Sequence, residues 1–143
     1  MIAVVPSATI NPGLTEDGRT TLEAAWTYHG RPLRIGSIPV ERIDGPVMLV
    51  SGTDDQLWPS YDSSKLIAAE LRNARHRFPV RNLSYQGGGH LIGAPFWPTN
   101  LLARPELGLS FGGSAAANAR ASADSWPKML AFIAEFGAPG RRD

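Results

Sequence analysis

Apolar positions in this chain gather into a few short runs, separated by long stretches broken up by glycine and proline. Ile2-Ala3-Val4-Val5 is one such run, and Pro46-Val47-Met48-Leu49-Val50-Ser51, followed by Gly52, is another. Without polar alternation, runs of this length predict strands covered on both faces of a sheet. A third strand is predicted over Arg81-Asn82-Leu83-Ser84-Tyr85, where Leu83 and Tyr85 alternate with polar residues. Between the last two strands the apolar spacing becomes helical. A helix from about Ser60 to Ala74 turns Leu66, Ile67 and Leu71 inward and Lys65 and Arg72 outward, with Asp62 or Ser63 as its cap. A second helix is predicted from about Ser114 to Phe136, alanine-rich at first and then apolar along a stripe of Trp126, Met129, Leu130 and Ile133. Pro127 is expected to kink or restart it, with Ser125 or Asp124 as a new cap, and Gly137 and Pro139 to end it.

Strand, helix, strand and helix in alternation predict a parallel sheet covered by helices. Residues 6–45 carry no such pattern. Trp26 to Arg31 reads as a short extended piece ending in a turn, and residues 91–113 read as loop. A weakly structured segment as long as residues 6–45 is expected to form a lid or to cap a site. An apolar strand starting at residue 2 is also unusual, because chain ends are ordinarily frayed and polar. It suggests that something precedes it.

The 143 residues suffice for one domain, and 43% hydrophobic with 19% charged residues exclude a disordered tail. A net charge of +1 predicts no pull towards nucleic acid or an anionic membrane. No run approaches the roughly 20 apolar residues of a membrane helix, and no basic segment precedes the apolar start, so a soluble, cytoplasmic chain is expected. Without cysteine there is no disulfide, no thiolate metal site and no cysteine nucleophile in this chain. The three histidines lack metal-ligand spacing, so neither a metal nor a cofactor is expected.

Candidate chemistry lies where two predicted strands end. The first is followed by Gly52-Thr53-Asp54-Asp55 and the last by Gly87-Gly88-Gly89-His90. Sites in open α/β sheets form beyond the carboxyl ends of the strands. There an aspartate can fix the tautomer of a histidine and stabilise the imidazolium once the ring takes a proton. Singly, each residue reads more simply, the aspartates as solvated turn residues and His90 as a loop histidine. Acid before base, both at strand ends, is the order of the α/β-hydrolases, where the nucleophile comes earlier still.

The segments Gly45 to Ser60, Ala3 to Leu14, Ala25 to Leu33, Ile38 to Ile43, Gly87 to Pro98 and Phe111 to Ile133 together resemble the C-terminal domain shared by acyl-CoA thioester hydrolases and bile acid-CoA:amino acid N-acyltransferases. The resemblance covers nearly the whole chain. Trp58-Pro59-Ser60 and Ala123-Asp124-Ser125-Trp126-Pro127 are among its more specific pieces. It implies an α/β-hydrolase fold with a mostly parallel sheet and a nucleophile–His–Asp triad whose acid is Asp55 and whose base is His90. The adjacent Asp54 is expected to project to a different side. An acyl-CoA thioester is the implied small-molecule substrate.

The family's nucleophile elbow would lie before Ala3, so residues 1–143 are expected to form a single partial domain lacking that half. Gly108-Leu109-Ser110-Phe111-Gly112 fits Gly-x-Ser-x-Gly, but it follows His90 and has no strand-to-helix context, so Ser110 is read as a loop serine. Two further readings stay open: a non-catalytic fragment or binding module, and an esterase or peptidase of the same fold. The first strand, left with a bare edge, could pair two copies into a homo-oligomer. Arg72, Arg75, His76, Arg77 and Arg81 read as a solvated cluster favourable to a helix C-terminus, with a coenzyme A phosphate site as the weaker alternative. Trp58, Trp97 and Trp126 read as packing residues, with Trp97 placed in sequence to wall an acyl pocket.

Overall fold

A computed structural model describes residues 38–137 together with four two-residue strands before them. These are β1 (Gly13–Leu14), β2 (Thr20–Thr21), β3 (Thr27–Tyr28) and β4 (Arg31–Pro32). The strand expected over Ile2–Val5, its exposed edge and the role of Pro139 lie outside the described residues.

The core is a strand–helix–strand unit. β5 (Val47–Gly52) and β6 (Val80–Tyr85) pair in parallel, from Val47 opposite Val80 to Gly52 opposite Tyr85. A parallel pair needs a crossover, which α1 (Ser60–Asn73) supplies. Val47, Leu49 and Leu71 form its buried centre, with Ile43, Ile67 and Ala68 packed around them.

The inward stripe of α1 differs from the expected one. Leu71 is 0% exposed, whereas Leu66 is 58% exposed. Ser60, Ser64, Ile67 and Leu71 follow the i, i+4, i+7, i+11 spacing of one helix face, and Leu66 stands about 100° from Ile67. Small hydroxyls occupy the upper part of that face, where the Ser64 Oγ lies 2.9 Å from the Ser51 Oγ of β5. Pro59 precedes the helix without a side-chain cap. Asp62 pairs instead with Lys65 at 3.7 Å and places a negative charge in the first turn.

The helix closes through Arg75, which adopts a left-handed φ of 54°. His76 N donates to Leu71 O at 2.9 Å and Arg75 N to Arg72 O at 3.0 Å, the paired bonds of a Schellman ending. The basic cluster has local partners. Arg77 pairs with Asp44, Arg81 with Glu135 at 2.7 Å, and the His76 ring bonds to Gly45 O at 2.9 Å.

α2 (Ala115–Phe136) begins as the sequence implies, with the Ser114 Oγ accepting from Ala117 N at 3.2 Å. It runs through Pro127 as one helix, with no new cap at Asp124 or Ser125. Proline deprives Ala123 of a donor, and Ala123 lies on the exposed side, where water can replace it. Its buried face is Ala117, Asn118, Ala121, Ser122 and Ser125, not the expected apolar stripe, since Leu130 and Ile133 are exposed. Small residues let the first half of α2 lie close to the glycine-rich strand exits described below.

Residues 91–113 hold more than loop. β7 (Ala103–Arg104) and β8 (Leu109–Ser110) pair antiparallel, and β8 joins β2 in parallel to give the order β1-β2-β8-β7. Near the extended piece expected at Trp26 to Arg31, β3 and β4 pair antiparallel, Thr27 opposite Pro32 and Tyr28 opposite Arg31. Of the expected mostly parallel sheet, the described residues contain the β5–β6 unit and the single β2–β8 pairing, among antiparallel pairs of two-residue strands.

Candidate active site

Parallel pairing in register brings the carboxyl ends of β5 and β6 to one place. Tyr85 O accepts from both Thr53 N at 3.0 Å and Gly88 N at 3.1 Å, and Asp54 N donates to Gly88 O at 2.9 Å. The two exits are thus sewn together within one turn of leaving the sheet. Glycine is required for this. A Cβ on Gly52 would lie 2.1 Å from Gly88 O, and one on Gly89 would lie 2.3 Å from Gly112 O. A third segment closes against them where His90 N donates to Phe111 O at 2.7 Å and Asp55 bridges to Gly112.

In this weave Asp55 and His90 face one another. Asp55 Oδ2 lies 3.1 Å from His90 Nδ1. The second carboxylate oxygen accepts from Leu57 N at 3.0 Å and Trp58 N at 3.2 Å. The Asp55 side chain is 4% exposed and the His90 side chain 29%. A buried carboxylate is tolerable only when its lone pairs are occupied, and here donors reach both oxygens. With Nδ1–H directed to Asp55, Nε2 carries the ring's free lone pair. Phe111 stacks beside the imidazole, with centroids 6.2 Å apart and planes 21° from parallel.

Asp54 diverges from its neighbour. Its Oδ2 accepts from Gly113 N at 2.9 Å and its Oδ1 from Gln56 Nε2 at 3.2 Å. Gln56 Oε1 in turn accepts from the Ser110 Oγ at 2.6 Å. Ser110 is buried in β8, and four residues separate it from the start of α2. Its hydroxyl is committed to Gln56 and does not sit at a strand-to-helix elbow.

Sequence reasoning passed over Gln56, Phe111 and Asn118, which surround the pair. Asn118 left one signal, a poor helix former on the face where α2 is otherwise alanine and serine. The tryptophans divide. Trp58 is partly buried beside Asp55, whereas Trp97 is exposed, as is Phe96, which meets the Trp126 ring edge-on at 5.7 Å. Two surface clefts, of about 280 and 490 Å³, lie elsewhere. The first is lined by residues of α1 and β6 such as Leu71 and Val80, the second by the basic cluster around Arg75 and Arg77. Among the described residues no group of three His, Asp or Glu could hold a metal ion, and no helix is long and apolar enough to cross a membrane.

A family model described as BAAT / Acyl-CoA thioester hydrolase C terminal matches residues 14–137. Among curated relatives, the peroxisomal succinyl-coenzyme A thioesterase of Mus musculus is 32% identical over 99 residues, which cover 67% of this chain and 23% of the relative. Acyl-coenzyme A amino acid N-acyltransferase 1 of the same species is 35% identical over 100 residues, covering 67% and 24%. The mouse bile acid-CoA:amino acid N-acyltransferase is 30% identical over 105 residues, covering 71% and 24%. The chain therefore spans about a quarter of the length of these relatives.

Proposed function

The chain belongs to the BAAT / acyl-CoA thioester hydrolase C-terminal family, and from that premise we propose that Asp55 and His90 are the acid and base of a nucleophile–His–Asp triad acting on acyl-CoA thioesters. The nucleophile comes from outside residues 1–143. The fold is then the C-terminal part of an α/β-hydrolase. The observation that carries this reading is the 3.1 Å bond between a buried aspartate and a half-buried histidine at the ends of two parallel strands.

In this mechanism Nε2 of His90 removes the nucleophile's proton as the nucleophile attacks the thioester carbonyl. The carbonyl re-forms, the carbon–sulfur bond breaks, and the departing thiol takes the proton from His90. Water then attacks the acyl-enzyme with His90 again as base, releasing the carboxylic acid and restoring the nucleophile. An amine in place of water yields an amide, and the presence of N-acyltransferases among the relatives makes transfer the second outcome of the same chemistry. Asp55 stays ionised throughout. It holds Nδ1–H and stabilises the imidazolium that exists while the proton is on the ring.

The adjacent aspartates supply the test. In the native gene product containing these residues, Asp55→Asn is expected to lower kcat for thiol release from an acyl-CoA by about 10³- to 10⁴-fold. Asp54→Asn, which leaves the imidazole's partner in place, is expected to stay within about tenfold of the parent. Equal effects, or a larger one at Asp54, would remove Asp55 from the triad.

A further inference from the structure

We propose that Asn118 of α2 is a positioning residue that holds His90 against Asp55. The proposal rests on the reading of His90 as the base. Asn118 is 1% exposed, on the fourth residue of its helix. A carboxamide offers two donor hydrogens and an acceptor oxygen, and a buried one must place them. Oδ1 accepts from Gly89 N at 2.8 Å, and Nδ2 donates to Thr99 O at 3.3 Å. Neither bond serves the helix. They reach the residue immediately before His90 and a residue nine positions after it, so one side chain clasps both ends of the histidine segment.

The surroundings are fitted to that clasp. A Cβ on Gly113 would lie 2.4 Å from Asn118 Oδ1, and Gly89 is closed in on its other side by Gly112 O. Gly89 is buried, so without Asn118 its N–H would lack an acceptor, and such a group is strongly driven to rotate towards water. That N–H belongs to the Gly88–Gly89 peptide, and rotation of this unit shifts the backbone entering His90 and carries its side chain away from Asp55. Backbone ties hold the groups on either side, Asp54 N to Gly88 O at the carbonyl of that same peptide and His90 N to Phe111 O on the next one, and Asn118 holds the N–H between them. Asn118 therefore acts on the site through backbone, and His90 mediates its effect.

The test reads the imidazole of His90 by NMR in the ¹⁵N-labelled native gene product containing these residues. In the parent chain Nδ1–H is expected to be the populated tautomer and to exchange slowly with solvent. Asn118→Leu keeps the branching and the number of side-chain heavy atoms and loses both bonds. It is expected to accelerate Nδ1–H exchange about tenfold and to populate the other tautomer. Asn118→Asp keeps an acceptor for Gly89 N and should lie nearer the parent than the leucine variant. Should Asn118→Leu not fold, Asn118→Ser, whose hydroxyl stops short of Gly89 N, is expected to give the same acceleration. Leu71→Ala, which empties the core at the other end of the sheet, separates clasp from general instability. If it accelerates exchange as much as the Asn118 variants do, the proposal is overturned. The proposal also fails if folded Asn118→Leu or Asn118→Ser exchanges at the parent rate while Asp55→Asn exchanges faster. If Asp55→Asn itself leaves the Nδ1–H signal unchanged, it is the Asp55–His90 reading that fails.

Discussion

At the scale of single residues, the arrangement depends on positions where nothing larger than hydrogen fits. A methyl group on Gly52 would meet the Gly88 carbonyl at 2.1 Å, too close for side-chain adjustment because the obstacle is backbone. The histidine segment would have to shift. Gly52→Ala is expected to cost about 3 kcal/mol or more in urea denaturation. Gly45→Ala, where a Cβ has nothing within 4 Å, is expected to stay within about 0.5 kcal/mol of the parent. The proximity of Asp55 and His90 could be reasoned from sequence because both follow predicted strands whose parallel pairing the pattern already implied. Asn118, Gln56 and Phe111 could not, because their partners are backbone and side-chain groups in segments with no periodicity of their own.

At the scale of elements, residues 47–52, 60–73, 80–85 and 115–136 were all legible within a residue or two. Which face each helix buries was less so. Leu66 and Leu71 look alike in the sequence, but only Leu71 lies on the stripe with Ser60, Ser64 and Ile67 that meets β5. Leu71→Ala is expected to lose about 2–5 kcal/mol and Leu66→Ala about 0.5 kcal/mol or less, compared by urea midpoints. For α2, hydrophobicity pointed to Leu130 and Ile133, while close approach of backbones selects Ala117, Ala121 and Ser125. Hydropathy alone misplaces a helix packed through small residues. The left-handed Arg75 was equally invisible. Arg75→Gly removes its Cβ strain and is expected to raise stability by about 1 kcal/mol in the same assay.

At the scale of the molecule, α2 is tied to the edge of the strand pair by polar as well as apolar contacts. Tyr85 of β6 donates to Asp124 Oδ2 at 2.8 Å, and Lys128 reaches the same oxygen at 2.6 Å. Burial first, and then the bond to the Asp124 carboxylate, push the Tyr85 phenol up to about 12 from its ordinary 10.0. The folded chain thus keeps a proton that the unfolded chain releases above pH 10, so this contribution to stability is lost as pH rises from 10 towards 12. Tyr85→Phe is expected to flatten the dependence of the urea midpoint on pH across that window. Asp124 works in the opposite sense. Lys128, then Tyr85, hold its carboxyl below the usual range, so its contribution is lost as pH falls through that lowered value. Sequence pattern sufficed for the strand–helix–strand unit and for the family, because both are written in contiguous runs. The pairing of β8 with β2 rests on two-residue strands too short to carry a pattern.

The central claim is that His90 is the base for acyl-CoA chemistry in this family member. The most direct measurement is thiol release from an acyl-CoA by the native gene product and its His90→Ala variant, in parallel, with both checked for folding. The account predicts a loss of about 10³-fold or more in kcat. Full activity in the folded variant would contradict it and would leave the Asp55–His90 bond a structural feature of the strand ends.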